Sequence, residues 1–297
     1  MTKITAWFWA IRPFTISAAV VPVLVGSALA FYEGIFHMLR FILVLIACFF
    51  VQVTTNLVDE YSDHARPEGG QKILAPYKVI ARGLLTSKEI KRGALVCFSI
   101  AAVIGIYLIY ISGLPILFMC LASAVVAYFY SAGPRPLGKL GLGQPLVFIF
   151  MGIVMVVGSY YVQTRYFTPD IFLISLPVGF TVTAILAAND IRDMEEDKAG
   201  GKNTVVTVFG RGFAWWEYLF LVSAAFLTVI ILASIGRLEL TSLMVLLALP
   251  QGVITLRTLR KGQSRLELAP GVPATSRLHL YFGLLLTFGI LLGRFGR

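Results

Sequence analysis

The sequence has few charged residues, fewer acidic than basic ones, and little cysteine. Charged residues fill 13% of the 297 positions, and 15 residues carry a carboxylate side chain. A disordered chain or a coiled coil needs many more charges, so both classes are excluded. The three cysteines lie in apolar runs without CxxC or CxxH spacing, which excludes a zinc site and a disulfide framework.

Apolar surface is what the chain has in excess. Hydrophobic residues make up 58% of it and the mean hydropathy is +0.84, which exceeds what one soluble core buries. We therefore predict an all-α fold, a polytopic membrane helical bundle formed by residues 1–297 as a single domain. Nine apolar runs are long enough to cross a bilayer: 14–32, 39–58, 93–111, 114–130, 144–163, 171–189, 213–235, 239–259 and 277–293.

The basic residues indicate how the bundle lies in the lipid bilayer. They fall between the apolar runs, not in a stripe with interleaved aromatic residues, so no nucleic-acid partner is predicted. With nine crossings, 20 of the 25 lysines and arginines lie on the side of the N terminus. The positive-inside rule places this side in the cytoplasm. We expect the membrane to be the cell (inner) membrane. The longer connections lie there too, so we expect a cytoplasmic-side active-site cap.

Ten of the 15 acidic residues fall in two segments, 56–92 and 189–212. Within each segment, polar residues recur at helical spacing, at i, i+3 and i+7 or at i, i+4 and i+8. Such spacing places them on one helix face if the helix continues past the apolar run. The first stripe is Asn56, Asp59 and Asp63, and the second stripe is Asn189, Asp193 and Asp197.

Carboxylates that face each other near a membrane repel unless a cation lies between them. Ligands made only of oxygen favour a hard divalent cation, and Mg²⁺ is the natural candidate. Because Mg²⁺ usually completes its shell with phosphate oxygens, the two stripes indicate a diphosphate substrate. Basic side chains are available to take the remaining phosphate charge: Arg82, Lys139, Arg192 and Lys202.

The motifs resemble those of the UbiA-type intramembrane aromatic prenyltransferase superfamily over essentially the whole chain. Asn56 to Asp63 is similar to its first, NxxxDxxxD-like signature, and Asp193 to Asp197 is similar to its second, DxxxD. The menaquinone-pathway branch, which prenylates 1,4-dihydroxy-2-naphthoate, is the most similar. The segments that carry this likeness are Trp9-x-x-Arg12-Pro13-x-Thr15, Tyr130-Ser131-Ala132-Gly133-Pro134, Pro136-Leu137-Gly138, Gly141-Leu142-Gly143, Gly158 to Gln163, Asn189 to Asp193 and Gly201-Lys202-Asn203-Thr204. The chain departs from the pattern at Asp59-Glu60, Pro67 and Gln144.

The resemblance implies Mg²⁺-dependent transfer of a polyprenyl group from polyprenyl diphosphate to an aromatic acceptor. It implies that the metal ligands are Asp59, Asp63, Asp193 and Asp197. The diphosphate-binding residues that it implies are Asn56, Asn189, Arg82, Lys139 and Lys202. The catalytic set is Asp63, Asp193, Asp197, Arg192, Lys139 and Tyr130, with the Tyr130 ring beside the allylic cation.

Other interpretations of the sequence stay open. The acceptor can be 4-hydroxybenzoate, homogentisate, a tetrapyrrole or a lipid glycerol ether within the same chemistry. A transporter of cations or organic anions is the alternative from another class, because acids in membrane helices also mark ion paths. Its sites gather near the midplane, whereas these acids lie at helix ends. In the plainest alternative, the acids face water, Arg192 and Lys139 anchor the topology, and Tyr130 belongs to an interfacial belt.

Overall fold

The computed structural model describes residues 2–65, 77–131 and 136–295, without the side chain of residue 131. Pro67 and the Ala132-Gly133-Pro134 motif lie outside these residues, as does the rest of 66–76 in the first acidic segment. Helices dominate the described part of the chain. They are α1 (Lys3–Ile11), α2 (Ser17–Tyr32), α3 (Met38–His64), α4 (Ser87–Ser112), α5 (Leu114–Ser131), α6 (Gly143–Val147), α7 (Met155–Thr164), α8 (Pro169–Ala199), α9 (Val205–Ser234), α10 (Leu249–Lys261), α11 (Arg265–Leu268) and α12 (Gly271–Phe295).

Shorter segments connect or extend some of these helices. A π-helical segment, Phe148–Val154, joins α6 to α7, and a 3₁₀ segment, Leu240–Ala248, leads into α10. Single 3₁₀ turns lie at Pro13–Thr15 and Leu137–Lys139. The α6–π–α7 stretch therefore acts as one continuous rod of 22 residues, Gly143–Thr164.

Seven helices of the described residues are long and apolar enough to cross a membrane. An eighth crossing is reached if Lys3–Thr15 and Ser17–Tyr32, which meet at a bend of 49°, form one span. All nine predicted runs lie on helices, but 114–130 lies on a shorter apolar helix, Leu114–Tyr130. The described residues thus show seven to eight membrane-capable helices, and the count of nine crossings stays a prediction.

Two helix boundaries differ from those expected. The run 39–58 continues without a break to His64, so α3 carries the whole first stripe. The run 93–111 begins earlier, at Ser87, because Thr86 caps the helix and Glu89 accepts a hydrogen bond from the Thr86 backbone N–H. The first turn of α4 therefore precedes the apolar run.

The helix α8 runs through the middle of the bundle. Its apolar window is 72% buried, the highest value among the membrane-capable helices. It packs against α9, α12 and the π-helical segment, while α3 and α4 form a separate pair with a core of their own. Tyr160, Tyr218 and Phe282 are fully buried in the main core.

Close backbone contact fixes α8 against the π-helical segment. A Cβ placed on Gly152 would collide with the Cα of Gly179, on α8, so position 152 admits only glycine at this spacing, whereas a Cβ on Gly179 would meet the Phe148 ring at 2.9 Å. The additional residue per turn in a π-helix widens the backbone at this point and moves its neighbours off the regular register. The two segments therefore meet without a side chain between them.

The cores end at a polar region that we call the acidic end. It contains the last turns of α3 and α8 and three connections: 77–86, 136–142 and 200–204. Contacts between these segments hold it together, such as Asn203 N to Lys139 O at 3.0 Å. At the other end of the bundle, Tyr160 and Tyr166 donate hydrogen bonds to Glu33, and Arg237 pairs with Asp170.

Candidate active site

Asn56 ties the first stripe to the bend between α1 and α2. Its Nδ2 donates to Ile11 O at 2.7 Å and to Thr15 Oγ1 at 2.8 Å, and its Oδ1 accepts from Gln52 Nε2 at 3.3 Å. These contacts engage both ends of the buried amide. In this arrangement Asn56 links helices by hydrogen bonds, and its predicted role in diphosphate binding stays a prediction.

Lys78 supplies a buried positive charge to the end of α3. Its Nζ lies 2.5 Å from Asp63 Oδ2 and 3.5 Å from Glu60 Oε2, and its side chain is 6% exposed. Glu60 is itself buried and accepts a hydrogen bond from Ile80 N at 3.0 Å. The connection 77–86 is thus attached to the first stripe by one lysine and one backbone amide.

Asp59 lies on the more exposed side of the first stripe. Arg12 Nη1 is 3.4 Å from Asp59 Oδ2, and the Arg12 guanidinium lies over the Tyr77 ring at 4.7 Å. Arg12 has a φ of 55° because it ends α1 and redirects the chain into α2. The bend therefore brings a largely buried cation, with a side chain that is 13% exposed, to the more exposed Asp59.

Two arginines enclose Asp193 in the second stripe. Arg192 forms a bidentate pair with it, Nη2 to Oδ2 at 2.5 Å and Nε to Oδ1 at 2.9 Å. Arg192 Nη2 also donates to Asn189 Oδ1 at 2.6 Å. Arg265, from α11, contacts Asp193 Oδ1 through Nε at 3.2 Å and pairs with Glu196. Since Arg192 and Asp193 are both buried, this pair is shielded from water.

Lys202 forms ion pairs with two further acids of α8, Asp190 and Asp197. Its Nζ lies 2.9 Å from Asp197 Oδ2 and 3.2 Å from Asp190 Oδ1. Gly201, with a φ of 62°, turns the chain back after α8, so that Lys202 faces the helix it has just left. Burial lowers the pKa of Lys202, but the carboxylates of Asp190 and Asp197 outweigh burial and raise it above that of a free lysine.

Tyr130 lies at the end of α5, near Asp190 and Lys202. It is close enough to Asp59, on α3, and to Asp190 and Asp197, on α8, to interact with all three electrostatically. With Asp190 and Lys202 it lines a cavity of about 10 Å³. Tyr130, Asp190 and Lys202 therefore surround a space of about one water molecule beside the second stripe.

The other predicted basic residues lie differently. Lys139 Nζ donates to Gly200 O at 3.3 Å and so binds a backbone carbonyl at the end of α8, not a carboxylate. Arg82 is exposed in the connection 77–86, and no ion pair joins it to an acid within the described residues. The described residues also contain no group of three or more His, Cys, Asp or Glu side chains that could hold a metal ion.

Three residues at this site were not among those predicted from the sequence. Lys78 and Arg265 counted only as topological charges, since they meet their acids across 15 and 72 residues of chain. Glu217, inside α9, lies outside both acidic segments, yet its Oε2 accepts from Gln144 Nε2 at 3.4 Å. A carboxylate within an apolar run was the one signal available for Glu217.

The chain is similar to known proteins over nearly its whole length. The 1,4-dihydroxy-2-naphthoate octaprenyltransferase of Bacillus subtilis (strain 168) is 30% identical over 284 residues, covering 96% of this chain and 91% of that protein. The structure of a UbiA homolog from Aeropyrum pernix K1 matches with a TM-score of 0.68 at 14% identity, over 93% of this chain and 98% of that one. A UbiA homolog from Archaeoglobus fulgidus bound to GPP and Mg²⁺ matches with a TM-score of 0.60 at 16% identity, over 95% and 99%.

These structural matches show that the fold is shared. The model of the UbiA prenyltransferase family matches residues 19–269, which include both acidic stripes, Lys78, Lys202 and Arg265. This match spans most of the chain. The chain therefore belongs to the UbiA prenyltransferase family and is a prenyltransferase.

Proposed function

We propose that this protein transfers a polyprenyl group from polyprenyl diphosphate to 1,4-dihydroxy-2-naphthoate, with Mg²⁺ as cofactor, in menaquinone biosynthesis. The observation that carries the proposal is that α3 and α8 each end in carboxylates paired with buried cations, with Tyr130 close enough to Asp59 and Asp197 to interact with acids of both helices. The relative from Bacillus subtilis is named for this acceptor, which favours it over other aromatic acceptors. We also propose that residues 1–297 form one domain with nine crossings.

The donor atoms of the site suit Mg²⁺ only together with a substrate. They are all carboxylate oxygens, the type that Mg²⁺ prefers: those of Asp59, Asp63, Asp193 and Asp197. No cluster of three lies within the described residues, so the protein supplies an incomplete shell. Phosphate oxygens and water usually complete such a shell. The residues therefore fit a Mg²⁺–diphosphate complex, and the homolog bound to GPP and Mg²⁺ supports this assignment.

When bound, Mg²⁺ supplies Lewis-acid stabilisation of the departing diphosphate. Lys202 stays protonated because its pKa is raised, so it provides a fixed positive charge beside the leaving group. Arg192, already oriented by its bidentate contact, contributes a second charge. Tyr130 presents its ring where the allylic cation forms, and the surrounding apolar helices exclude water from that cation.

We place the acidic end on the cytoplasmic side of the cell (inner) membrane. The 20 basic residues on the side of this end support the orientation. The test of the orientation is to attach a membrane-impermeant thiol reagent to single cysteines in the connections 77–86 and 112–114, in a variant that lacks the three native cysteines. Labelling of 77–86 from outside intact cells would reverse the assignment.

The function is tested by Mg²⁺-dependent transfer from a labelled polyprenyl diphosphate. Membranes that contain the protein receive 1,4-dihydroxy-2-naphthoate or, in parallel, 4-hydroxybenzoate, and Asp63→Asn and Asp193→Asn serve as variants. We expect product with the naphthoate and loss of product in both variants. Preference for 4-hydroxybenzoate would change the acceptor alone. If the diphosphate is neither bound nor cleaved with any acceptor, the catalytic proposal is wrong and a transporter becomes the better hypothesis.

A further inference from the structure

Glu217 is a carboxylate inside a membrane-capable helix. It lies well inside α9, seven residues after Gly210, where a φ of 83° interrupts the helix. Ionisable residues in such helices are costly and usually have both a partner and a role. Among the described residues Glu217 makes no ion pair, and its hydrogen-bond partner is the neutral amide of Gln144.

Gln144 connects Glu217 with the site. Its Nε2 lies 3.4 Å from Glu217 Oε2 and 3.4 Å from Asp190 Oδ2. One buried amide thus contacts two carboxylates from two helices. They differ in charge balance, because Asp190 pairs with Lys202 at 3.2 Å and Glu217 has no cation. Of the two, Glu217 is the one whose proton-accepting capacity is not already satisfied by a cation.

The surroundings of Glu217 suit an aromatic molecule with a hydroxyl group. Phe213, Trp216 and Phe220 form an exposed aromatic face of α9, whereas Ala214 and Tyr218 are buried. Glu217 is half-buried and lies between these two faces. An aromatic acceptor that arrives through the bilayer would find ring partners and one carboxylate together, beside the cavity that Gln144 shares with Tyr130.

We propose that Glu217 is the general base that accepts the proton of the acceptor hydroxyl. This inference rests on the proposed function. The C–O bond of the donor breaks and leaves its electron pair on the diphosphate. A π pair of the ring forms the new C–C bond to the allylic carbon, while the hydroxyl proton moves to Glu217 and a ring carbonyl forms. Loss of the proton from the alkylated ring carbon, with return of one to the oxygen, restores the aromatic ring, and Glu217 releases its proton to water.

The experiment measures donor cleavage and transfer in the same reaction. Purified protein in lipid nanodiscs receives geranyl diphosphate, Mg²⁺ and 1,4-dihydroxy-2-naphthoate, and both released diphosphate and prenylated product are quantified. The variants are Glu217→Gln and Glu217→Asp, and the matched control is Glu195→Gln, which removes the same charge from an exposed position on α8. Binding of geranyl diphosphate and the melting temperature are recorded for each.

We expect Glu217→Gln to lower transfer about 100-fold, the smaller effect typical of a lost general base, while donor binding changes less than about twofold. Diphosphate release should fall together with transfer, because the allylic cation has no other acceptor when water is excluded. Glu217→Asp should recover part of the transfer, and Glu195→Gln should match the wild type. Unchanged transfer in Glu217→Gln would overturn the inference. So would a parallel loss of donor binding, release and transfer, since that indicates a structural role. Absence of diphosphate release in the wild type would instead overturn the proposed function.

Discussion

The two acidic stripes end helices that differ in how deeply they are packed. The apolar window of α3 is 22% buried, whereas that of α8 is 72% buried. The cations of the first stripe, Lys78 and Arg12, come from connections beside α3. The second stripe forms ion pairs with Arg192 from its own helix, with Lys202 after a tight turn, and with Arg265 from α11.

This difference in burial implies that the carboxylates of the two stripes depend to different degrees on their cations. A carboxylate deep in the bundle must be neutralised at all times, because an unpaired buried charge costs several kcal/mol. A carboxylate nearer the surface keeps part of its hydration and depends less on its partner. Substitutions in the second stripe should therefore cost stability and activity together, and those in the first stripe should cost mainly activity.

The largest effect is expected for the two central aspartates. Asp193→Asn and Asp63→Asn should each lower transfer about a thousandfold, as the loss of a group that stabilises transition-state charge does. Only Asp193→Asn should also lower the free energy of unfolding, by about 3 kcal/mol, because Arg192 then stays buried without its bidentate partner. In Asp63→Asn, Lys78 keeps Glu60 as an ion-pair partner, so the free energy of unfolding should change little. Thermal unfolding of both variants in one detergent measures the difference in stability. Equal destabilisation by Asp193→Asn and Asp63→Asn would contradict the predicted difference between the stripes.

The two lysines give an intermediate effect. Lys202→Gln leaves Asp190 and Asp197 buried without a cation, so it should destabilise the protein by about 3 kcal/mol, and Lys78→Gln should do so by less. Because the folded-state pKa of Lys202 is raised, its contribution is complete below the pKa of a free lysine, about 10.4, and is lost only as the pH rises above that value.

The difference in melting temperature between wild type and Lys202→Gln should therefore stay constant from about pH 6 to pH 9.5, well below the onset of lysine titration. A difference that narrows between pH 7 and pH 9 would show that Lys202 titrates within this range. Lys88→Gln, at an exposed position on α4, is the matched control for the loss of one lysine charge.

The smallest effects are expected at the outer arginines. Arg12→Gln removes a 3.4 Å contact to the partly exposed Asp59, so it should change stability by less than about 1 kcal/mol and the donor KM less than about twofold. Arg265→Gln loses contacts to both Asp193 and Glu196 and should raise the donor KM about fivefold. Steady-state kinetics measure the donor KM of both variants. A larger rise in KM for Arg12→Gln than for Arg265→Gln would contradict this prediction.

The parts of the molecule that the sequence predicted well depend on local pattern. Long apolar runs indicated the helices, and the spacing 189, 193, 197 indicated a stripe because α8 continues to Ala199. The partners of the acids could not be found in this way. Arg265 reaches Asp193 across 72 residues, and Gln144 reaches Glu217 across 73, so the fold alone brings them together. The bend at Arg12 also escaped detection, since one residue with a positive φ leaves hydropathy unchanged.

The contact between Gly152 and Gly179 constrains how this protein can be varied. Because a Cβ on Gly152 would collide with the Gly179 backbone, any side chain there forces the π-helical segment away from α8, and a side chain at position 179 requires the Phe148 ring to move. Random libraries that include these codons would lose most of their members to misfolding before any change of specificity could be seen. Variation confined to Gln144 and to the exposed aromatic face of α9 would leave that contact intact and explore the acceptor side of the bundle.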